Sequence, residues 1–262
     1  MPPERPAALP SLDEASEGLI DGPQKSMDVG SELPAPQRDE DAVSVRRLGY
    51  ESWSAHGGDW GAAVTTALGA ARPRGLRGIH LSTPYAFPQS IPEVLTDDER
   101  RAVEGLAPYG GPLGGSNHVQ GTKPQTVGLA LADSPVGQGA WIYEKFQSKT
   151  DRRGRAEDAL SGDAMLDAIS LYWCTNSAAS SARIYWENRS ATMAGPKLSL
   201  PVAVTVFPRD IPRLPKSWVE DAYSDLIHFG EAESGGHFAA LEQPEILVDE
   251  IRVGLRSLRK EV

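Results

Sequence analysis

Cysteine is nearly absent from this chain of 262 residues: Cys174 stands alone, which excludes an internal disulfide and fits a reducing, cytoplasmic setting. Long hydrophobic runs are missing as well. None approaches about 20 residues, so no segment is expected to span a bilayer, and the N-terminus lacks the basic start and apolar stretch of a signal peptide. Basic charge is scarce: 26 Lys and Arg against 36 Asp and Glu leave a net charge of −10. Without a basic stripe, nucleic acid and anionic membrane surfaces are not expected partners, because phosphate binding needs clustered cations. What the chain does have is a hydrophobic content of 40%, enough for one large core or a core with an insertion at this length.

Residues 1–44 set themselves apart. Met1-Pro-Pro-Glu-Arg-Pro and Ser31-Glu-Leu-Pro-Ala-Pro are rich in proline and charge with no apolar period between them, so this leader is expected to be disordered. From Val45 the pattern becomes globular. Val45–Tyr50 reads as a helix end closing on Gly49, Ser52–His56 as a short strand, and Leu76–Leu81 as a second strand, so residues 45–84 form a first piece of an α/β core. Pro84, Pro88 and Pro92 then break the pattern.

Residues 85–197 show no alternation of strand and helix. Leu95–Leu106, Gly137–Gln147 and Ala164–Asn188 have helical spacing, separated by polar, glycine-rich connections, and predict a helical lid inserted into the core. Alternation returns over 198–262. Pro201–Phe207 reads as a buried strand, Lys216–Tyr223 as a helix, Asp225–Glu231 as a strand, and the apolar stripe Leu247, Ile251, Leu255, Leu258 as a last helix entered at Pro244. Strands separated by helices predict a mostly parallel sheet and an α/β fold.

The densest chemical signal is Gly57-Gly58-Asp59-Trp60-Gly61, between the first strand and the small-residue run Ala62–Ala67. It matches the strand–turn–helix elbow G-x-S-x-G of α/β-hydrolases with an aspartate in the serine's place, and both flanking glycines are expected to sit where a Cβ would collide. Asp59 is therefore a candidate nucleophile. The competing reading is an aspartate that caps the following helix. Gly235-Gly-His237 lies between the last strand and the last helix, where a hydrolase histidine belongs in the order nucleophile, acid, histidine; a packing or surface histidine is the alternative. Asp210, just after Pro201–Phe207, holds the place of the acid, with an exposed turn residue as its alternative.

Further pieces carry a resemblance: His118-Val-Gln-Gly-Thr-Lys-Pro124, Asp133-Ser-Pro-Val-Gly137, Glu144-Lys-Phe146, Leu171-Tyr-Trp173, Ser180-Ser-Ala-Arg-Ile-Tyr-Trp-Glu-Asn188 and Gly235-Gly-His-Phe-Ala-Ala240. In this order, from about Arg47 to Lys260, the chain resembles the microsomal-type epoxide hydrolases of the α/β-hydrolase fold. The resemblance implies Asp59 as nucleophile, His237 as base, Asp210 as its acid partner and Tyr185 as a lid acid, although the family more often has glutamate where Asp210 stands. It implies a small-molecule epoxide and water as reactants, with no cofactor and no metal. A carboxylate would open the strained epoxide to an alkyl-enzyme ester, the Tyr185 phenol would assist the departing oxygen, and His237 would activate water against the ester.

Two departures follow from the same resemblance. The family's second lid tyrosine is replaced by Ser116, and Tyr109 could take its place only if the loop shifted. The upstream strands and the His-Gly-x-Pro loop with its oxyanion donor find no match in residues 1–50, which leaves the Trp60 N–H as the evident donor and predicts a truncated sheet of four strands. Loss of one such donor costs roughly 3 kcal/mol of barrier in other hydrolases. The strand before the elbow then becomes an exposed edge prone to self-association. Two alternatives stand beside an epoxide hydrolase: a haloalkane dehalogenase-like hydrolase, which also pairs aspartate with tryptophan, and a catalytically dead fragment that acts only as an interaction body.

Overall fold

The computed structural model describes residues 45–259 apart from 46, 111, 153, 189–193 and 212, and the leader expected over 1–44 lies outside these residues. One sheet of parallel strands runs in chain order: β1 (Trp53–Gly57), β2 (Leu76–Leu81), β3 (Val202–Val206) and β4 (Leu226–Glu231). Each lies within a residue of the stretch the sequence predicts. Val202-Ala-Val-Thr-Val206 forms a strand because both its faces find apolar cover: every residue in it is buried, as in the centre of a parallel sheet. Fully burying a Val, Leu or Ile side chain contributes about 1.5–3 kcal/mol, and Ile79, Leu81, Val202, Val204 and Val206 form the heart of the main core with Trp218 and Tyr223. Among the described residues β1 pairs with β2 alone and is the sheet's edge.

Helix α1 (Trp60–Ala71) follows β1 directly. Between β2 and β3 come α2 (Asp97–Leu106), α3 (Gly115–Thr122), α4 (Pro124–Asp133), α5 (Pro135–Lys149), α6 (Gly162–Thr175) and α7 (Ala178–Glu187). Beyond β3 lie α8 (Lys216–Ala222), α9 (Ala239–Glu242) and α10 (Pro244–Gly254). The starts are written in the sequence. Thr96 and Glu99 make a capping box for α2, Ser134 and Ser161 cap α5 and α6, and Pro124, Pro135 and Pro244 open helices where the missing N–H costs nothing. α1 lies over Ile79 and α10 over His80, neighbours in β2 whose side chains point to opposite faces, so helices cover the sheet on both sides.

Two expectations need correction. The continuous helical stretch over 164–188 is two helices, because Asn176 adopts the left-handed conformation at φ 50° and Ser177 starts α7 at a new angle. The glycine-rich connections before Pro135 are also helical, as α3 and α4. Their stability comes from packing against α7 rather than from an apolar stripe of their own.

A polar chain crosses the sheet beneath α10. Thr205 donates to Glu250 Oε2 at 2.9 Å and so accepts from His80 Nε2 at 3.0 Å, which makes His80 Nδ1 the acceptor for His56 Nδ1 at 2.9 Å; His228 Nε2 meets the same Glu250 oxygen at 2.8 Å. Burial, and then the charges of His56 and His228, push His80 down to about 3, so its ring stays neutral.

Candidate active site

At the end of β1 the chain turns through Gly58 and Asp59 into α1. Asp59 has φ 48° and ψ −127°, a strained conformation of the kind that costs on the order of 1–3 kcal/mol and clusters at functional sites. The turn is possible because a Cβ on Gly57 would land on the backbone of Gly61 and the hydroxyl of Thr65. Gly61 itself has open space where a Cβ would go, so the crowding expected at both glycines falls on Gly57 alone. Asp59 makes no side-chain capping bond to α1. Its carboxylate points instead into a cavity, with the side chain 45% exposed there.

His237 meets it from the loop after β4. Its Nε2 lies 2.7 Å from Asp59 Oδ2 and its Nδ1 lies 2.7 Å from Asp210 Oδ1. Asp210, in the loop after β3, also accepts from Thr83 Oγ1 at 2.8 Å and from the Ile211 N–H at 2.7 Å, so its carboxylate is fixed by three donors. Parallel strands deliver all three side chains to one edge of the sheet, because the loops after β1, β3 and β4 share its carboxyl end. The histidine loop is held just as firmly. Gly235, at φ 109°, sits above Phe207, and the Glu242 carboxylate collects the N–H groups of Gly236, Phe238 and Asp151 at 2.7–3.1 Å. The N–H of His237 donates to the Lys149 carbonyl at 3.0 Å, which ties the histidine loop to the end of α5.

Electrostatics make this a charged cluster. Burial would lower His237, but the hydrogen bonds and charges of Asp210 and Asp59 outweigh it and raise the ring to about 9. The ring is therefore an imidazolium at neutral pH, donating to a carboxylate from each nitrogen. A histidine that holds its proton more tightly folded than unfolded stabilises the fold below its ordinary value of 6.5, and that stabilisation is lost as pH rises through about 9. Burial would raise Asp59, yet the bond to His237, the charges of His237 and Lys149, and the Trp60 N–H together hold its carboxyl below the ordinary range.

Aromatic side chains line the cavity. Tyr185 of α7 meets the Trp60 ring edge to face, centroids 5.2 Å apart. Burial and then the Asp59 charge raise its phenol, against the opposing hydrogen bonds with Trp60 and Gln120, so it keeps its proton at neutral pH. Asp59, Trp60, Asn117, Lys149, Tyr185 and His237 stand at the junction of two cavities of about 820 and 650 Å³. Tyr109 lines the larger and is pushed up to about 12 by burial and the charges of Asp210 and Glu144; Ser116 lines the smaller.

Three neighbours escaped sequence reasoning. Thr83 and Tyr85 lie just past β2 in Ser82-Thr-Pro-Tyr85, and Tyr85 is raised by burial and by the charges of Asp59 and Tyr185. Their signal was position, at the carboxyl end of a strand next to the elbow strand. Lys149 left no signal, since it reaches the site only because α5 ends there. Among the described residues no group of three or more His, Cys, Asp or Glu side chains is arranged to hold a metal ion, and no helix is long and apolar enough to cross a membrane.

A carboxylate on a strand–helix elbow, met by a histidine and a second carboxylate from loops after later parallel strands, is the arrangement found in the α/β-hydrolase fold. No protein-family model matches the chain. It is 55% identical over 219 residues to a Stigmatella aurantiaca protein named "Putative epoxide hydrolase", across 83% of this chain and 50% of that one. With Epoxide hydrolase 1 of Sus scrofa it shares 34% identity over 232 residues, across 79% of this chain and 51% of the relative. The solved structure of Aspergillus niger epoxide hydrolase matches with a TM-score of 0.72 at 25% identity, across 85% of this chain and 57% of that one. Juvenile hormone epoxide hydrolase from Bombyx mori gives 0.66 at 30% identity, across 85% and 55%. By sequence and by fold, the chain is similar to epoxide hydrolases of the α/β-hydrolase fold, and it spans about half the length of the curated relatives it matches.

Proposed function

We propose that these residues open an epoxide to a vicinal diol through an ester on Asp59. The observation that carries this reading is the contact of 2.7 Å between His237 Nε2 and Asp59 Oδ2, in a cavity that Tyr185 lines. An Asp59 oxygen attacks an epoxide carbon, the ring C–O bond breaks, and Tyr185 gives its proton to the departing oxygen. Attack by an ionised carboxylate needs no base, so a protonated His237 does not impede it.

Ester formation then changes the histidine. Asp59 loses its charge, and with it one of the two carboxylates that hold the His237 proton. The imidazolium proton returns to the tyrosinate, directly or through water, and leaves a neutral ring that Asp210 still orients. That ring takes a proton from water as the oxygen attacks the Asp59 carbonyl, with the Trp60 N–H facing the oxyanion. Collapse breaks the ester, the remaining water proton passes to the leaving alkoxide, and Asp59, His237 and Tyr185 return to their starting states with the diol released.

The product assay tests this reading. Incubated in parallel with styrene oxide and with 1-chlorohexane, the protein is expected to form diol and no chloride beyond the uncatalysed background. Chloride release exceeding diol formation would establish a dehalogenase, and background rates with a panel of aryl and alkyl epoxides would establish a body without this activity.

A further inference from the structure

The protein is strongly acidic overall, yet its cavities are not. With a net charge of −10 over the chain, Asp59 is the one acidic residue on either cavity wall among the described residues, against the lysines Lys145 and Lys149. Lys145 is committed elsewhere: it pairs with Glu144 and lies over the Trp141 ring, 5.2 Å from its centroid. Lys149 has no hydrogen bond or ion pair from its ammonium to any described residue, while its charge acts on Asp59. Its backbone is fixed, because it is the last residue of α5, where the helix dipole favours a cation, and its carbonyl holds the His237 N–H at 3.0 Å.

We propose that the cavity takes an epoxide that also bears a carboxylate, seated on the Lys149 ammonium beside Asp59. This rests on the epoxide-opening reaction above. When Asp59 becomes an ester its charge disappears and Lys149 faces a cavity with no anion, a costly state for a half-buried ammonium. A substrate carboxylate cancels that charge throughout the cycle. One uncommitted ammonium matches a monoanion, whereas a phosphate would call for several converging donors. Because Lys149 lines both cavities that meet at Asp59, the carboxylate belongs within a few bonds of the epoxide, with the apolar body against Leu131, Ile142 and Phe146.

The test compares 3-phenylglycidate with 3-phenylglycidamide, which differ in charge but little in shape, in the wild type, Lys149→Met and Lys149→Arg. The carboxylate-to-amide ratio of kcat/KM is expected to fall at least about tenfold in Lys149→Met and to persist in Lys149→Arg, a change equal to about 1.4 kcal/mol. An unchanged ratio, or an equal loss with both substrates, overturns the proposal. Equilibrium binding of the two diol products, measured on the same proteins, separates this inference from the reaction it rests on. Carboxylate diol binding about tenfold tighter than the amide, and lost in Lys149→Met, supports the anion site even if no epoxide is turned over. Equal binding of the two diols by the wild type overturns it.

Discussion

In the His237→Gln variant, an epoxide substrate is expected to remain attached to Asp59. Glutamine keeps the loop and a hydrogen-bonding side chain but cannot take a proton from water, so the ester forms and its hydrolysis stops. Mass spectrometry of the peptide carrying Asp59 is expected to show the mass of the intact substrate added, in near one-to-one amount, while diol release falls by on the order of 10⁴ or more, as losses of residues acting as one unit do elsewhere. Asp59→Asn is expected to show neither adduct nor diol. The pH dependence separates the half-reactions. Asp59 is held below the ordinary carboxylate range by the partners that outweigh its burial, so attack persists into mild acid. Release needs a neutral His237, so the adduct accumulates even in the wild type as pH falls below the value of the esterified state. An adduct-free His237→Gln protein, under conditions where the wild type turns over, would count against the ester.

Tyr185→Phe is the second large effect. The phenol stands in the cavity with its ring in a T-shaped contact with Trp60 and keeps its proton at neutral pH, so removing the hydroxyl takes away a proton donor without emptying the packing position. A fall in diol formation of about 10² is expected, the size of a general-acid contribution, expressed in the rate of adduct formation rather than in its hydrolysis. Stopped-flow measurement of tryptophan fluorescence, compared between the wild type and the variant, would resolve the two steps. A variant that forms adduct at the wild-type rate would move the proton donor to another phenol, and Tyr85 and Tyr109 line the same cavity.

The strands were legible because a parallel sheet buries both faces, and runs such as Val202–Val206 have no other use. The elbow was legible because its geometry needs Gly57 at a fixed distance from Asp59. What the sequence concealed depends on tertiary contact. Gly115-Ser-Asn-His-Val-Gln-Gly-Thr122 has no apolar stripe, so α3 could not be read locally. α4 packs on α7 through Gly128, whose Cβ position lies 2.5 Å from Ala179, a fit invisible to periodicity. The break at Asn176 was hidden by continuous helical spacing on either side of one left-handed residue. Asp59, Asp210, His237 and Tyr185 each sit in a chemically marked segment, and the fold gathers them around one cavity. Thr83, Tyr85 and Lys149 join them only because a strand end and a helix end converge there.

One measurement bears most directly on the ester. In a single turnover in ¹⁸O-water with enzyme in excess, the atom balance sends the water oxygen to the Asp59 carboxylate, while the diol carries one oxygen from Asp59 and one from the epoxide. The account predicts ¹⁸O in the Asp59 peptide and none in the first-turnover diol. Label in that diol, with an unlabelled Asp59, would show water attacking the epoxide directly and would contradict it.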